Sequence, residues 1–264
     1  MSFDLCQVKT ASKPYFIENI STYIYSIEEL CFYLYNNMYL IDQSIVNEDL
    51  CVWVRDELDL KRLYRQLHDQ LEKNDGTAAF ILPIFREIGY LSADEQRAYQ
   101  EEMNRLEVQP GETKAKLKAD YLVRCGMHSN AIREYYQILQ RQGPGSLGAQ
   151  FYSQIWNNLG CAMAGMFEFQ KAGDCFYEAW KLVRTREMLR KYVSVLPLYL
   201  TDAQYRDRLK ELGADRELTG RIQEYNLSIA REAKEASREK IERAASPGML
   251  LSQIKEEYCR SAGA

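Results

Sequence analysis

The sequence contains few of the residues that most often build metal sites. It has only two histidines among its 264 residues, His68 and His128. Its seven cysteines are an odd number, and no two of them form a C-x-x-C pair. Neither histidine stands at ligand spacing from a cysteine or from the other histidine, which argues against a zinc site. We therefore expect reduced structural thiols, no bound metal and no cofactor.

Common catalytic motifs are missing as well. The chain lacks G-x-S-x-G, G-x-x-x-x-G-K-[ST] and H-E-x-x-H, which supply a nucleophile, a phosphate cradle and zinc ligands. His68 precedes Asp69 on a predicted helix, at the edge of that helix's apolar face, which favours a structural role over that of a general base. His128 follows Gly126 in a predicted turn, where it is expected to face solvent or to stabilise the turn. The sequence therefore predicts a protein that is not an enzyme.

Long hydrophobic runs and an excess of positive charge are also missing. No run approaches the roughly eighteen apolar residues that a bilayer-spanning helix needs. The first residues lack the basic and then apolar pattern of a secretory signal. The net charge of −4 is opposite in sign to that expected of a nucleic-acid-binding protein. We expect a cytoplasmic protein with neither a membrane nor a nucleic acid as partner.

Most of the recognisable patterns in the sequence are signals for α-helices. Three pairs have the capping-box pattern, a hydroxyl three residues before Glu or Gln. They are Ser26 with Glu29, Ser92 with Glu95, and Thr201 with Gln204. Apolar residues between them recur at helical spacing, and Gly, Pro and Asn interrupt them at 74–76, 89, 109–111, 143–145 and 246–248. These signals predict about a dozen helices and an all-α fold.

The N-terminal segment is the one part without a clear helical pattern. Residues 1–25 are rich in β-branched and aromatic residues, which fits either an extended arm or a short strand pair. We predict an extended arm here and leave the strand pair open. Tyrosine is dense from Tyr15 to Tyr39. This density predicts either a packing layer or a docking surface, because tyrosine buries a large ring while its hydroxyl reaches a polar partner.

A stretch from Trp156 to Ala179 alternates large and small residues at helical spacing. One predicted face carries Trp156, Leu159, Gly160 and Met163, and the next carries Ala172, Phe176 and Ala179. Small residues allow two helix backbones to approach, and large residues fill the gaps beside them. The stretch therefore predicts an antiparallel helix pair, with Trp156 and Phe176 as interlocked apolar side chains.

These spacings resemble the tetratricopeptide repeat, whose pattern is W-x2-L-G-x2-Y followed by A-x3-F. An upstream stretch, KAKLKADYLVRCGMHSNAIREYYQIL, matches in part, with Lys118 where the family prefers Leu. Phe167 stands where the family often has Gly. Ala131 and Ala172 are 41 residues apart (172 − 131), and the excess over the family period of about 34 predicts a loop at 143–148. The helix at 187–200 is predicted to cap the last apolar face.

The resemblance implies the following organisation. Residues 1–25 form the arm, 26–108 an N-terminal helical bundle, 109–200 helix pairs stacked as a right-handed solenoid, and 201–264 C-terminal helices. One of these last helices is long and charged, and its thinning apolar stripe runs from Leu218 to Ala236. It is predicted either to pack along one side of the fold or to join a second copy of the chain.

The resemblance also implies a function. Proteins of this family usually bind a partner in a concave groove lined by the first helix of each repeat. The corresponding polar residues here are Lys116, Asp120, Asn157 and Asn158. Lys116 and Asn158 suit a clamp for a partner's C-terminal carboxylate, but Asp120 would repel it.

We therefore expect a non-catalytic module that binds a peptide or helix of another protein. The alternatives are a receptor for a small signalling peptide, an enzyme with its site in the N-terminal bundle, and a subunit that oligomerises through its C-terminal helix.

Overall fold

The computed structural model describes residues 9–73, 75–141, 147–213, 216–243 and 247–262. These residues form thirteen α-helices and one two-stranded sheet, which confirms the predicted all-α fold. The predicted loop at 143–148 lies mostly outside the described residues. Among those that are described, no helix has both the length and the apolar content needed to cross a bilayer.

The chain divides into two compact units, unit 1 (residues 1–114) and unit 2 (residues 115–264). The predicted boundary at 107–112 lies a few residues before this division. Unit 1 contains β1 (Tyr15–Ile17), β2 (Thr22–Ile24), α1 (Ile27–Asn36), α2 (Glu48–Asp56), α3 (Lys61–Lys73), α4 (Thr77–Glu87) and α5 (Ala93–Glu107). Unit 2 contains most of α6 (Gly111–Arg124), then α7 (His128–Gln140), α8 (Gly148–Gly165), α9 (Phe169–Val183), α10 (Arg186–Val195), α11 (Asp202–Glu211), α12 (Arg216–Arg243) and α13 (Pro247–Ala262).

The N-terminal segment contains the strand pair that the sequence analysis left open. β1 and β2 are antiparallel, with Tyr15 opposite Ile24. A lone hairpin is marginally stable in water, and this one is tied to the helices that follow. The Tyr15 hydroxyl donates to the Ser44 carbonyl at 3.0 Å, and the Trp53 indole N–H donates to the Lys13 carbonyl at 2.8 Å.

Consecutive helices pack against each other in unit 1. α2 packs on α3, α3 on α4, and α4 on both α5 and α1. The fully buried side chains of this core include Leu30, Leu34, Leu63, Leu67, Phe80, Ile84 and Phe85. Burial of these apolar side chains, at roughly 25 cal/mol per Å², is the main force that holds unit 1 together.

Two of the three predicted capping boxes form completely. They are Ser92 with Glu95 and Thr201 with Gln204. At the third, the Ser26 hydroxyl accepts from the backbone N–H of Glu29, but the Glu29 carboxylate accepts from the N–H of Tyr25 instead of Ser26. The α1 cap is therefore only half of a capping box.

From α7 to α10, consecutive helices of unit 2 pack against each other, with a close approach between α8 and α9. A Cβ atom added at Gly160 would lie 2.7 Å from the ring of Phe176, so only glycine fits there. At the far end of the pair, the Ser153 hydroxyl donates to the Ala179 carbonyl at 3.0 Å. Ser153 precedes Gly160 while Ala179 follows Phe176, so the two helices are antiparallel, as predicted.

Trp156 differs from the expectation for this pair. Phe176 is buried, with 7% of its surface exposed, whereas Trp156 is only partly buried. Tyr152 and Ile155 are buried on the same helix. The helix is therefore rotated so that Ile155, and not Trp156, supplies the large apolar side chain beside Leu159.

The predicted cap at 187–200 corresponds to α10 and a short 3-10 turn, Leu196–Leu198. α10 packs on α9, but α12 covers α10 in turn. Ile222 of α12 is buried against Val193, with Leu189, Tyr205, Leu209 and Leu212 around them. The apolar face of α10 is therefore interior, not terminal.

Only the start of the charged helix α12 is packed. Beyond Ile222, the apolar residues Tyr225, Leu227 and Ile229 are exposed. The side chain of Leu218, the first residue of the predicted stripe, lies outside the described part. α13 contacts α7, yet Met249, Leu251, Ile254 and Tyr258 remain exposed.

The glycine contact between α8 and α9 gives a stability prediction. We expect Gly160→Ala to lower the free energy of unfolding by about 1–3 kcal/mol, because the added methyl group overlaps the Phe176 ring. Gly220→Ala in α12 is the matched control, since no atom lies within 4 Å of its added Cβ and alanine favours helix. Urea denaturation of both variants measures the difference, and equal effects would contradict the assigned contact.

Candidate functional site

The four predicted partner-binding residues lie in one hydrogen-bonded network. We call Lys116, Asp120, Asn158, Asn157 and Lys191 the polar row. It runs from α6 across α8 to α10. The structure therefore brings together all four residues that the sequence analysis selected, and it adds Lys191.

Asp120 is the centre of the row. Its Oδ2 accepts from the Lys116 ammonium at 2.6 Å. Its Oδ1 accepts from the Tyr135 hydroxyl at 2.5 Å and from the Asn158 side-chain amide at 2.7 Å. Hydrogen bonds to an ionised group are the stronger kind, so these three donors hold α6, α7 and α8 in register.

The row continues through the two asparagines to α10. The Asn157 amide donates to Asn158 Oδ1 at 2.8 Å, and the Lys191 ammonium donates to Asn157 Oδ1 at 2.9 Å. Asn157 is 7% exposed, so its polar atoms need protein partners. Lys191 also lies 3.6 Å from a carboxylate oxygen of Glu187.

Sequence spacing relates three members of the row. Asn157 follows Lys116 by 41 residues (157 − 116), the same interval that separates Ala131 from Ala172. Lys191 follows Asn157 by 34 residues (191 − 157), the family period. Lys191 was missed because the repeat pattern is lost one period after Trp156, at Arg190, although its position could be found by counting. Nothing in the sequence indicates the hydrogen bond between Tyr135 and Asp120.

Two ionisable groups near the row have shifted pKa values. Burial, and then the hydrogen bond to Asp120, raise the pKa of Tyr135, so its hydroxyl remains a donor at neutral pH. Desolvation raises the pKa of the Cys161 thiol, while the positive charge of Lys191 opposes this shift. Cys161 is nevertheless exposed to solvent. Its side chain therefore lies at the surface, where neighbouring side chains still remove part of its hydration.

Asp120 occupies the donors that a carboxylate clamp would use. Lys116 and Asn158 both donate to its side chain. The sequence analysis predicted that Asp120 would repel a partner's carboxylate. The geometry gives a second reason why a partner's carboxylate would not bind here. The carboxylate of Asp120 already lies between Lys116 and Asn158, the two clamp residues.

Lys118, which replaces the usual leucine of the repeat, forms an ion pair with Glu134 of α7 at 2.9 Å. The two side chains are only 17% and 19% exposed. The ion pair allows the charged residue to occupy a position that is largely covered.

The two histidines lie apart from the polar row. His68 is half-exposed on α3, and each of its ring nitrogens lies 3.9 Å from a glutamate oxygen. Ligand atoms of His68, Asp69 and Glu72 lie within 4.8 Å of one another. All three stand on one helix with Asp69 and Glu72 exposed, an arrangement that i,i+4 pairing on a solvated face explains.

His128, which was expected either to face solvent or to stabilise the turn, is partly buried at the first position of α7. A Cβ added at Gly165 would lie 2.6 Å from its Nε2, so the ring packs against the end of α8. Within the described part of the chain, its Nδ1 is buried without a hydrogen-bond partner. Desolvation lowers the pKa of His128, because the charged ring has lost water.

Removal of the Asp120 carboxylate tests the network. We expect Asp120→Ala to lower the free energy of unfolding by about 2 kcal/mol, because three donors lose their acceptor. Asp174→Ala on the exposed side of α9 is the control, and its effect should stay within about 0.5 kcal/mol. Denaturant titration measures both, and equal losses would contradict a central role for Asp120.

His128 gives a pH prediction. Because its pKa is lower in the folded than in the unfolded state, protonation favours unfolding. Its stabilising effect is complete above the unfolded pKa of about 6.5 and is lost as the pH falls towards the folded pKa. Stability measured from pH 8 to pH 5 should fall less steeply in His128→Gln than in the wild type.

The chain was also compared with known proteins. No protein-family model, no curated protein and no solved structure matches it.

Proposed function

We propose that this protein is a non-catalytic interaction module, in which unit 2 binds a peptide or helix of a partner protein. The observation that carries the proposal is the polar row. It crosses α6, α8 and α10. In the tetratricopeptide repeats that the sequence resembles, these would be the first helices of successive pairs, which line the ligand groove.

The chemistry of the row supports recognition more than catalysis. Its members are two lysines, one carboxylate and two amides, joined in series by hydrogen bonds. A preformed set of side chains loses little conformational entropy on binding. Amides that already share one bond keep further donor and acceptor capacity, which suits them to contact the backbone of a bound segment.

The proposed orientation places Cys161 on the same surface. It follows Asp120 by 41 residues (161 − 120), the interval that relates Lys116 to Asn157. Its raised pKa and its exposure are both expected for a side chain at the floor of a groove.

The same geometry argues against chaperone-tail binding through a carboxylate clamp, because Asp120 occupies the clamp donors. We propose instead that an internal segment of the partner binds, with its polar backbone over the row. Binding energy would come from a few buried apolar anchors on the partner, as in most protein interfaces.

A substitution at Cys161 tests this proposal. Cys161→Arg adds a long charged side chain at an exposed position, so it should block the groove without unfolding the helices. We expect affinity purification with the wild-type chain to recover a stoichiometric partner that the Cys161→Arg chain loses. Mass spectrometry identifies the partner, and thermal denaturation confirms that the variant is folded.

Gln137→Arg, at an exposed position on α7, is the matched control. It introduces the same side chain on a second helix of a pair, outside the proposed groove, and should retain the partner. A partner that tolerates Cys161→Arg but is lost with Gln137→Arg would place the interface on the opposite surface.

A further inference from the structure

Unit 1 contains a cleft beside its β-hairpin. It has a volume of about 530 Å³ and lies between the hairpin and α1. Ile20, Tyr23 and Ile24 line it from the hairpin side, while α1 contributes Glu28 and Phe32, which are one helical turn apart. We call it the aromatic cleft, and none of its residues belongs to the polar row.

Two aromatic side chains of the cleft are largely exposed. Phe32 has 62% of its surface in contact with solvent, and Tyr23 has 58%. Tyr33 and Tyr90 contribute further ring atoms to the lining. The face of an aromatic ring is negative, so it attracts an ammonium or guanidinium group placed within about 6 Å of its centre.

Two carboxylates line the same cleft, and no positively charged side chain stands beside them in the described lining. Among the described atoms, Glu28 Oε2 is buried and has no hydrogen-bond partner. Glu29 is also in the lining, but its carboxylate accepts from the Tyr25 backbone N–H. The described residues that line the cleft include no lysine and no arginine. The two glutamates therefore have no cation beside them in the lining, and a cationic group brought into the cleft would be attracted to both.

We propose that the aromatic cleft binds a lysine or arginine side chain presented by a segment of a partner protein. The cationic group pairs with the carboxylates of Glu28 and Glu29 and lies against the rings of Phe32 and Tyr23. The aliphatic stem of the side chain packs on Ile20 and Ile24, as such stems commonly do on apolar surfaces. The positive charge complements both glutamates.

Ligands of other kinds fit the cleft poorly. An acidic group would meet two carboxylates and no cation. A purely apolar side chain would cover the rings but would bring no positive charge to pair with the two glutamates. A cation on an apolar stem matches both parts of the lining.

Two matched peptides test the proposal. One is a short fluorescein-labelled, acetylated and amidated peptide with a central lysine between leucines, and the other has norleucine in place of lysine. They differ only in the ammonium group. We expect fluorescence anisotropy to show that the lysine peptide binds the full-length protein about tenfold more tightly than the norleucine peptide.

Variants of the cleft then locate the binding. Glu28→Gln keeps the shape of the side chain and should remove the preference for lysine. Phe32→Ala should weaken binding of the lysine peptide about tenfold, with little effect on folding because the ring is exposed. Glu101→Gln and Phe167→Ala change an exposed glutamate and an exposed phenylalanine elsewhere, and both should bind as the wild type does.

Several results would overturn the proposal. They are equal affinity for the two peptides, no binding of the lysine peptide, or an unchanged lysine preference in Glu28→Gln. A loss that Glu101→Gln shares would also overturn it, since binding would then follow net charge and not the cleft. Thermal denaturation of each variant separates loss of binding from loss of folding. Because the polar row is unchanged in all four variants, these results are independent of the function proposed for unit 2.

Discussion

Unit 2 depends on the close approach of a glycine backbone to a ring at three helix contacts. Gly160 faces Phe176 between α8 and α9, and Gly165 faces His128 between α8 and α7. Gly173 of α9 faces Tyr199, just after the 3-10 turn that follows α10. In each case an added Cβ would lie 2.7 Å or less from a ring or hydroxyl atom, so a larger residue would force the facing side chain to shift. The glycines weaken their own helices slightly, and the ring packing they permit offsets that cost.

The polar row is possible because these contacts fix the helices relative to one another. A hydrogen bond requires its two heavy atoms to lie within about 3 Å, so a shift of one helix by a single residue would break it. Asp120 is placed to accept from α7 and α8 at once, and Asn157 joins α8 to α10. The apolar contacts set the distance between helices, while the row selects one register among those that apolar packing alone would permit.

The two proposed sites differ in chemistry. In the polar row, every charge has a counter-charge or a hydrogen-bond partner, so a ligand must add to a network that is already complete. In the aromatic cleft, two glutamates lie in a described lining that contains no lysine or arginine, so a cationic ligand supplies the missing charge. The row therefore suits contacts with a neutral backbone, whereas the cleft suits a discrete cation. The exposed apolar residues of α12 and α13 belong to neither site.

The sequence by itself determined the helices, their approximate ends and the main α8–α9 pair. These features depend on local rules, which are capping hydroxyls, apolar residues three or four apart, and breaks at glycine and proline. It also indicated four members of the polar row, since Lys116 and Asp120 are one turn apart and Asn157 repeats the position of Lys116. Only the tertiary structure decided that Asp120 meets Tyr135, that Lys191 completes the row and that Trp156 is partly exposed. It also decided that Glu28 lines a cleft together with Tyr23 and Phe32. Each of these depends on how a helix is rotated and shifted against its neighbour. Successive residues of a helix differ by about 100° in direction, so periodicity identifies a broad face but not the side chain that meets a given atom across the interface.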